Sequence, residues 1–197
     1  MKKEIKRQIV HISGVLFVVY AVLAGRFISF LTFFSIFVFL ITYAEIIKRY
    51  KHPVHKFEER IRRFLLGFER EDEKLFEGAY LFFLSFAIVF LLFPLNIASA
   101  SCLILSIGDS FSTIFGKLIG KHKIYENKTV EGFLVFVLFS YPAASLFVDP
   151  IAALVGSLVG AIAELSDKIN DNISIPLLSA RQNQLVYPFQ IICQIQR

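Results

Sequence analysis

Six stretches of mostly apolar residues dominate the 197-residue sequence and restrict what it can fold into. They run from Ile9 to Gly25, Phe27 to Ile47, Ala79 to Leu95, Ile97 to Phe115, Phe133 to Val148 and Ile151 to Leu165. A helix needs about 20 such residues to cross about 30 Å of hydrocarbon, where the backbone must satisfy its own hydrogen bonds. The reading is an all-α integral membrane protein, a polytopic bundle of about six to seven transmembrane helices. The first, third, fifth and sixth stretches are short, so they thin the bilayer locally or borrow flanking residues. A seventh segment, Leu185 to Ile195, is shorter still and carries Pro188, Gln190 and Gln194. With 56% apolar residues and 23 Phe, no polar stretch remains for a second, soluble domain, and residues 1–197 read as a single membrane domain. The first stretch lacks a small-residue cleavage site and reads as a mature helix. Cys102 and Cys193 sit in apolar runs, as small buried hydrophobes rather than a disulfide or metal pair.

Charge sets the expected orientation, because Lys and Arg in short loops stay cytoplasmic. With the N-terminus inside, Lys2, Lys3, Lys6 and Arg7 are cytoplasmic, as are the basic residues between Lys48 and Lys74. Lys117, Lys121, Lys123, Lys128, Lys168 and Arg181 join them on that side. Arg26 falls on the outer side, joined by Arg197 if the seventh segment spans. The net charge of +5 therefore reports topology and contact with anionic membrane lipids, not nucleic acid. Within the cytoplasmic loop 48–78, Val54, Phe57, Ile61, Phe64, Leu65 and Phe68 recur at steps of three and four. That spacing predicts an amphipathic helix along the headgroups. His52 and His55, on either side of Pro53, read as solvated loop histidines.

The chemistry begins where the hydropathy fails. Asp109 stands near the inner end of the fourth segment, and a carboxylate there costs about 2.5 to 3.5 kcal/mol on insertion scales. Such a residue faces a bundle interior or a wet cavity, and marks function. On a helix Asp109, Ser112, Gly116 and Gly120 share one face. The glycines alone read as a packing motif, like Gly156-x-x-x-Gly160 in the sixth segment. With Asp109 before them and Lys128-Thr129-Val-Glu131-Gly132 after, they read as a phosphate site over residues 107–132. A second acidic motif covers 164–176. If the sixth helix continues, Glu164, Asp167 or Lys168, and Asp171 share a face, and Pro176 ends the helix. Asp171 then lies at the unfavourable end of the helix dipole. Two acidic clusters at one depth can share Mg²⁺, which takes one or two carboxylates and completes its shell with substrate phosphate.

The run Asp109-Ser-Phe-Ser-Thr-Ile-Phe-Gly116-Lys-Leu-Ile-Gly120 and the subsequent Lys128-Thr129-Val-Glu131-Gly132 resemble the nucleotide-binding signature of the dolichol kinase family. That family includes phytol kinases and CTP-dependent diacylglycerol kinases. Glu4-Ile-Lys-Arg7-Gln-Ile-Val-His11 is similar to its opening motif, and Asp171-Asn172-Ile-Ser-Ile-Pro176 to a late one. Ser112 stands where the family usually has Ala, and Asn127 where it has a second Lys. After Ala180 the sequence does not look like the long apolar helix that closes family members.

The resemblance implies a membrane kinase that moves the terminal phosphate of a nucleotide, typically CTP, onto a polyprenol-type or related lipid alcohol. It implies nucleotide contacts from Arg7, His11, Ser112, Gly116, Gly120, Lys128, Thr129, Glu131 and Gly132. It implies Asp109, Glu131 and Asp171 as Mg²⁺ ligands, with Asp171 as the base and Asn172 orienting a partner. His11 also reads as a packed polar residue, and Tyr125, Glu126 and Asn127 are candidate readers of the base. Two alternatives stay open: a phosphatidate cytidylyltransferase-like CDP-lipid synthase, and a small transporter with Asp109 on its ion path. The Pro-Gly-His-Gly-Gly run of true cytidylyltransferases is absent, and no internal repeat marks a transporter.

Overall fold

The computed structural model describes residues 2–49, 75–126, 128–166 and 169–195. The amphipathic stretch from Val54 to Phe68, His52 and His55 lie outside them, as do Asn127, Asp167 and Lys168. The chain is an all-α membrane helix bundle. Among the described residues, three helices are long and apolar enough to cross a membrane, over Arg7–Ala24, Arg26–Arg49 and Leu95–Ile119, and shorter apolar helices accompany them.

The first of these is two helices in tandem, α1 (Lys2–Ile12) and α2 (Gly14–Ala24), continuing through a helical Ser13. Gly25 then turns the chain at φ 84°, a left-handed conformation that glycine adopts freely, into α3 (Arg26–Arg49). Helix α4 (Glu77–Leu92) packs along α3 through an aromatic core. The Phe33 and Phe86 ring centroids are 5.5 Å apart and edge-on, and Phe82 and Phe86 are 4.3 Å apart. The fourth segment is one long helix with a wide turn inside it. Helix α5 (Leu95–Leu103) passes through a π-helical turn (Ile104–Asp109) into α6 (Ser110–Ile119).

A short antiparallel hairpin, β1 (Lys123–Tyr125) and β2 (Lys128–Thr129), joins α6 to α7 (Val130–Ala144). Helix α8 (Pro150–Glu164) starts where Asp149 Oδ1 accepts hydrogen bonds from Ile151 N at 2.9 Å and Ala152 N at 3.0 Å. This is an N-cap followed by proline at the first helical position.

The end of the chain departs from expectation. The sixth helix does not run on to Pro176. It stops at Glu164, and a new helix α9 (Asp171–Ile195) begins at Asp171. Asn170 causes the restart, its Oδ1 accepting from Asn172 N at 3.1 Å and its carbonyl from Ile173 N and Ser174 N. Pro176 is buried inside α9, and the short seventh segment is the second half of this 25-residue helix. The chain after Ala180 continues this helix, which is long without being among the helices apolar enough to cross a membrane, and Asn183 within it is buried against Gly156. The two glycines of α8 seat α9 closely, with Ser179 Oγ donating to the Gly156 carbonyl at 3.0 Å.

A Cβ on Gly160 would lie 2.7 Å from Ile104 Cγ2 and 3.0 Å from Ser179 Oγ. We expect Gly160→Val to destabilise the protein by about 1–3 kcal/mol, read as a lower midpoint of thermal unfolding in detergent. An unchanged midpoint would show that α8 and α9 can separate there without cost.

Candidate active site

Asp109 closes the π turn. Such a turn inserts a residue into a helix and re-aims the side chains after it. Asp109 is buried, and its Oδ2 lies 3.4 Å from Nδ1 of His11 in the last turn of α1. The His11 ring stands edge-on to Phe82, with centroids 5.3 Å apart. Gly108 seats the turn against α7, because a Cβ there would come within 2.6 Å of the Phe136 ring.

Lys128 brings the two acidic motifs together. From β2 its Nζ lies 2.9 Å from Glu164 Oε1, at the end of α8, and 3.5 Å from Asp171 Oδ2, at the start of α9. Ser112 Oγ donates to the same Glu164 oxygen at 2.8 Å. Asp109 lies close enough for its charge to act on both Lys128 and Asp171. Burial works to lower the Lys128 pKa, but the charges of Glu164, Asp171 and Asp109 outweigh it and hold the ammonium above its ordinary value. At Asp171, ahead of the apolar part of α9, burial dominates. With the Asp109 and Glu164 charges it pushes the carboxyl up to about 7, against the pull of Lys128.

Glu164 and Asp171 therefore do not share one helix face. They meet from two helix ends, and Asp171 stands in the first turn of α9, where the helix dipole favours a carboxylate.

The other residues picked out by sequence divide differently. Glu131 is engaged with His122: its Oε1 lies 2.7 Å from the ring Nδ1 and its Oε2 accepts from the backbone N at 3.3 Å. These bonds, the His122 ring first, hold the Glu131 carboxyl down to about 2, in the polar lead-in before the apolar run from Phe133. Thr129 caps α7, accepting from Gly132 N at 3.2 Å. Gly116 and Gly132 face each other, since a Cβ on Gly116 would stand 3.5 Å from Gly132 Cα. One on Gly120 would stand 2.7 Å from the Thr129 methyl. These glycines bring α6 against the head of α7. Arg7 precedes His11 by one turn of α1. Asn172 Nδ2 donates to the Gly78 carbonyl at 3.2 Å, tying α9 to α4.

Three residues were not singled out from sequence. Glu164 reads from sequence only as one member of the acidic motif, and no motif residue points to His122. Asn170 carried a usable signal, an Asn directly before an acidic first turn.

Among the described residues, no group of three or more His, Cys, Asp or Glu side chains is gathered tightly enough to cage a metal ion. Mg²⁺ does not need such a cage when phosphate completes its shell, and Asp109 and Asp171, both near Lys128, fit that demand.

Thr129→Val keeps the shape and removes the capping acceptor. It should lower stability by about 1 kcal/mol, while Thr129→Ser stays near wild type, in parallel thermal unfolding.

Comparison with known proteins gives relatives of uneven reach. An uncharacterized protein of Rickettsia prowazekii is 27% identical over 185 residues, covering 88% of this chain and 90% of that one. An uncharacterized protein of Methanocaldococcus jannaschii is 36% identical over 120 residues, covering 57% and 59%. The CTP-dependent diacylglycerol kinase 1 of Schizosaccharomyces pombe is 32% identical over 133 residues, covering 56% and 61%. The chain thus spans about three fifths of the length of the last two. No protein-family model matches the chain, and no solved structure matches it. The chain is an integral membrane helix bundle with a distant relationship to a CTP-dependent diacylglycerol kinase.

Proposed function

We propose that the protein is a lipid-alcohol kinase that transfers the terminal phosphate of a nucleotide, CTP, to the hydroxyl of a polyprenol-type or related lipid alcohol. The observation that carries the proposal is the convergence of Lys128 with Glu164 and Asp171 beside the buried Asp109. Likeness to a CTP-dependent diacylglycerol kinase supports the reaction class. The basic loops favour a cytoplasmic N-terminus and a cytoplasmic site, where nucleotide is available.

Phosphoryl transfer asks a protein mostly for positioning and charge neutralisation. Lys128 holds the polyphosphate as a point charge. Asp109 is the carboxylate that would hold Mg²⁺, which would supply neutralisation of the phosphate charge when bound, and Asp171 is left for the acceptor side. Asp171 takes the proton of the acceptor hydroxyl. The hydroxyl oxygen bonds to the terminal phosphorus, the bond to the bridging oxygen breaks, and the nucleoside diphosphate leaves. A carboxyl pushed up to about 7 suits this role, since a base works best with a pKa near the operating pH.

Purified protein in lipid nanodiscs, given Mg²⁺, labelled nucleotides and a panel of lipid alcohols, tests the proposal. A labelled lipid monophosphate is the expected product, with CTP a better donor than ATP, UTP or GTP. A CDP-lipid with pyrophosphate would make the protein a cytidylyltransferase instead. Asp109→Asn should cost about a hundredfold or more in turnover, and near-normal turnover would remove its metal role.

Turnover should also rise with pH through about 7 as Asp171 ionises. Asp171→Ala should abolish turnover while nucleotide binding persists. A flat profile between pH 6 and 8 would argue against Asp171 as the base.

A further inference from the structure

Glu164 has no role in the proposed transfer, yet it is the best-held acidic group of the cluster. Its side chain is 4% exposed, and its Oε1 accepts from Ser112 Oγ at 2.8 Å and from Lys128 Nζ at 2.9 Å. Asp171 Oδ2 stands on the same ammonium at 3.5 Å. The positive group assigned to phosphate is therefore already shared by two carboxylates before any ligand arrives. A phosphate that takes Lys128 away leaves both without their counter-ion, and for the buried Glu164 an uncompensated charge is strongly unfavourable. A polyphosphate that brings a divalent cation avoids this. The phosphate takes the ammonium and the charge of the cation lies beside the carboxylates, so neither is left uncompensated.

We infer that Glu164, seated by Ser112, is a specificity-determining residue that makes this site accept a metal-complexed polyphosphate and refuse the free anion. The inference rests on the proposed function for the identity of the ligand. Its own content is a preference between two forms of that ligand, exerted by a residue that never touches the reacting phosphorus. Ser112 acts through Glu164 as a positioning residue: without its hydroxyl the carboxylate can follow Lys128 toward the ligand.

The test is equilibrium binding of CTP to the full-length protein in nanodiscs at pH 8, with excess Mg²⁺ and separately with EDTA. Wild type should bind the Mg²⁺ complex at least about a hundredfold more tightly than the free anion. Glu164→Gln keeps a side chain that can pair with Ser112 but removes the charge. It should bind metal-free CTP about tenfold more tightly than wild type does, shrinking the preference by the same factor, which corresponds to about 1.4 kcal/mol. Glu164→Asp should retain most of the preference, and Ser112→Ala should lose part of it. A gain in affinity for one form of the ligand is a readout that damaged folding does not produce. Equal binding of both forms by wild type would overturn the inference, as would an unchanged preference in Glu164→Gln. If the preference behaves as stated but no phosphate reaches any lipid alcohol, the kinase proposal fails while the role of Glu164 stands.

Discussion

One ammonium group organises the site. Lys128 reaches from a two-stranded hairpin to Glu164 at the end of one helix and Asp171 at the start of the next. Those two helices are packed along their lengths through the Gly156 and Gly160 notches. Removing either carboxylate from water is costly, and a single cation between them offsets part of that cost for both. The break between α8 and α9 makes this possible. A continuous helix would place Glu164 and Asp171 in line along its own surface, whereas a break lets two helix ends face one lysine.

The π turn serves the same centre from the other side. It lets the fourth segment stay one membrane-length helix while changing the direction in which its later side chains point, so that Asp109 turns to His11 and Ser112 to Glu164. Close approach is needed on every side of it. Gly14 lets α2 lie against Ser106, Gly108 yields to Phe136, and Gly160 yields to Ile104. Small residues here act as clearances around a wide turn, and the glycines Gly116, Gly120 and Gly132 perform the same service between α6 and α7.

The helical architecture was legible in hydropathy because bilayer thickness sets a length that few other folds require. Asp109 was legible for the same reason: a carboxylate is conspicuous in an apolar run. The features that escaped depend on a few residues acting against the bulk pattern. Asn170 starts a new helix through a single side chain, and a reading by periodicity carries the sixth helix through it. Pro176 reads as a helix end from sequence because its burial among neighbouring helices is tertiary information. The pairing of Glu131 with His122, nine residues away in sequence and across the hairpin, likewise needs the fold to be seen. Glu164 was seen as one of several acids, and only the geometry distinguishes it.

The site draws on helices far apart in the chain: His11 comes from α1 and Asp171 opens α9. Domains form in the order of synthesis, N-terminal parts first, so Asp109 reaches the membrane before Glu164 and Asp171 do. His11 is then its early companion, giving that carboxylate a polar neighbour inside lipid while the rest of the chain is still being made. The α9 helix is made later and brings Asp171, the group proposed to take the acceptor proton.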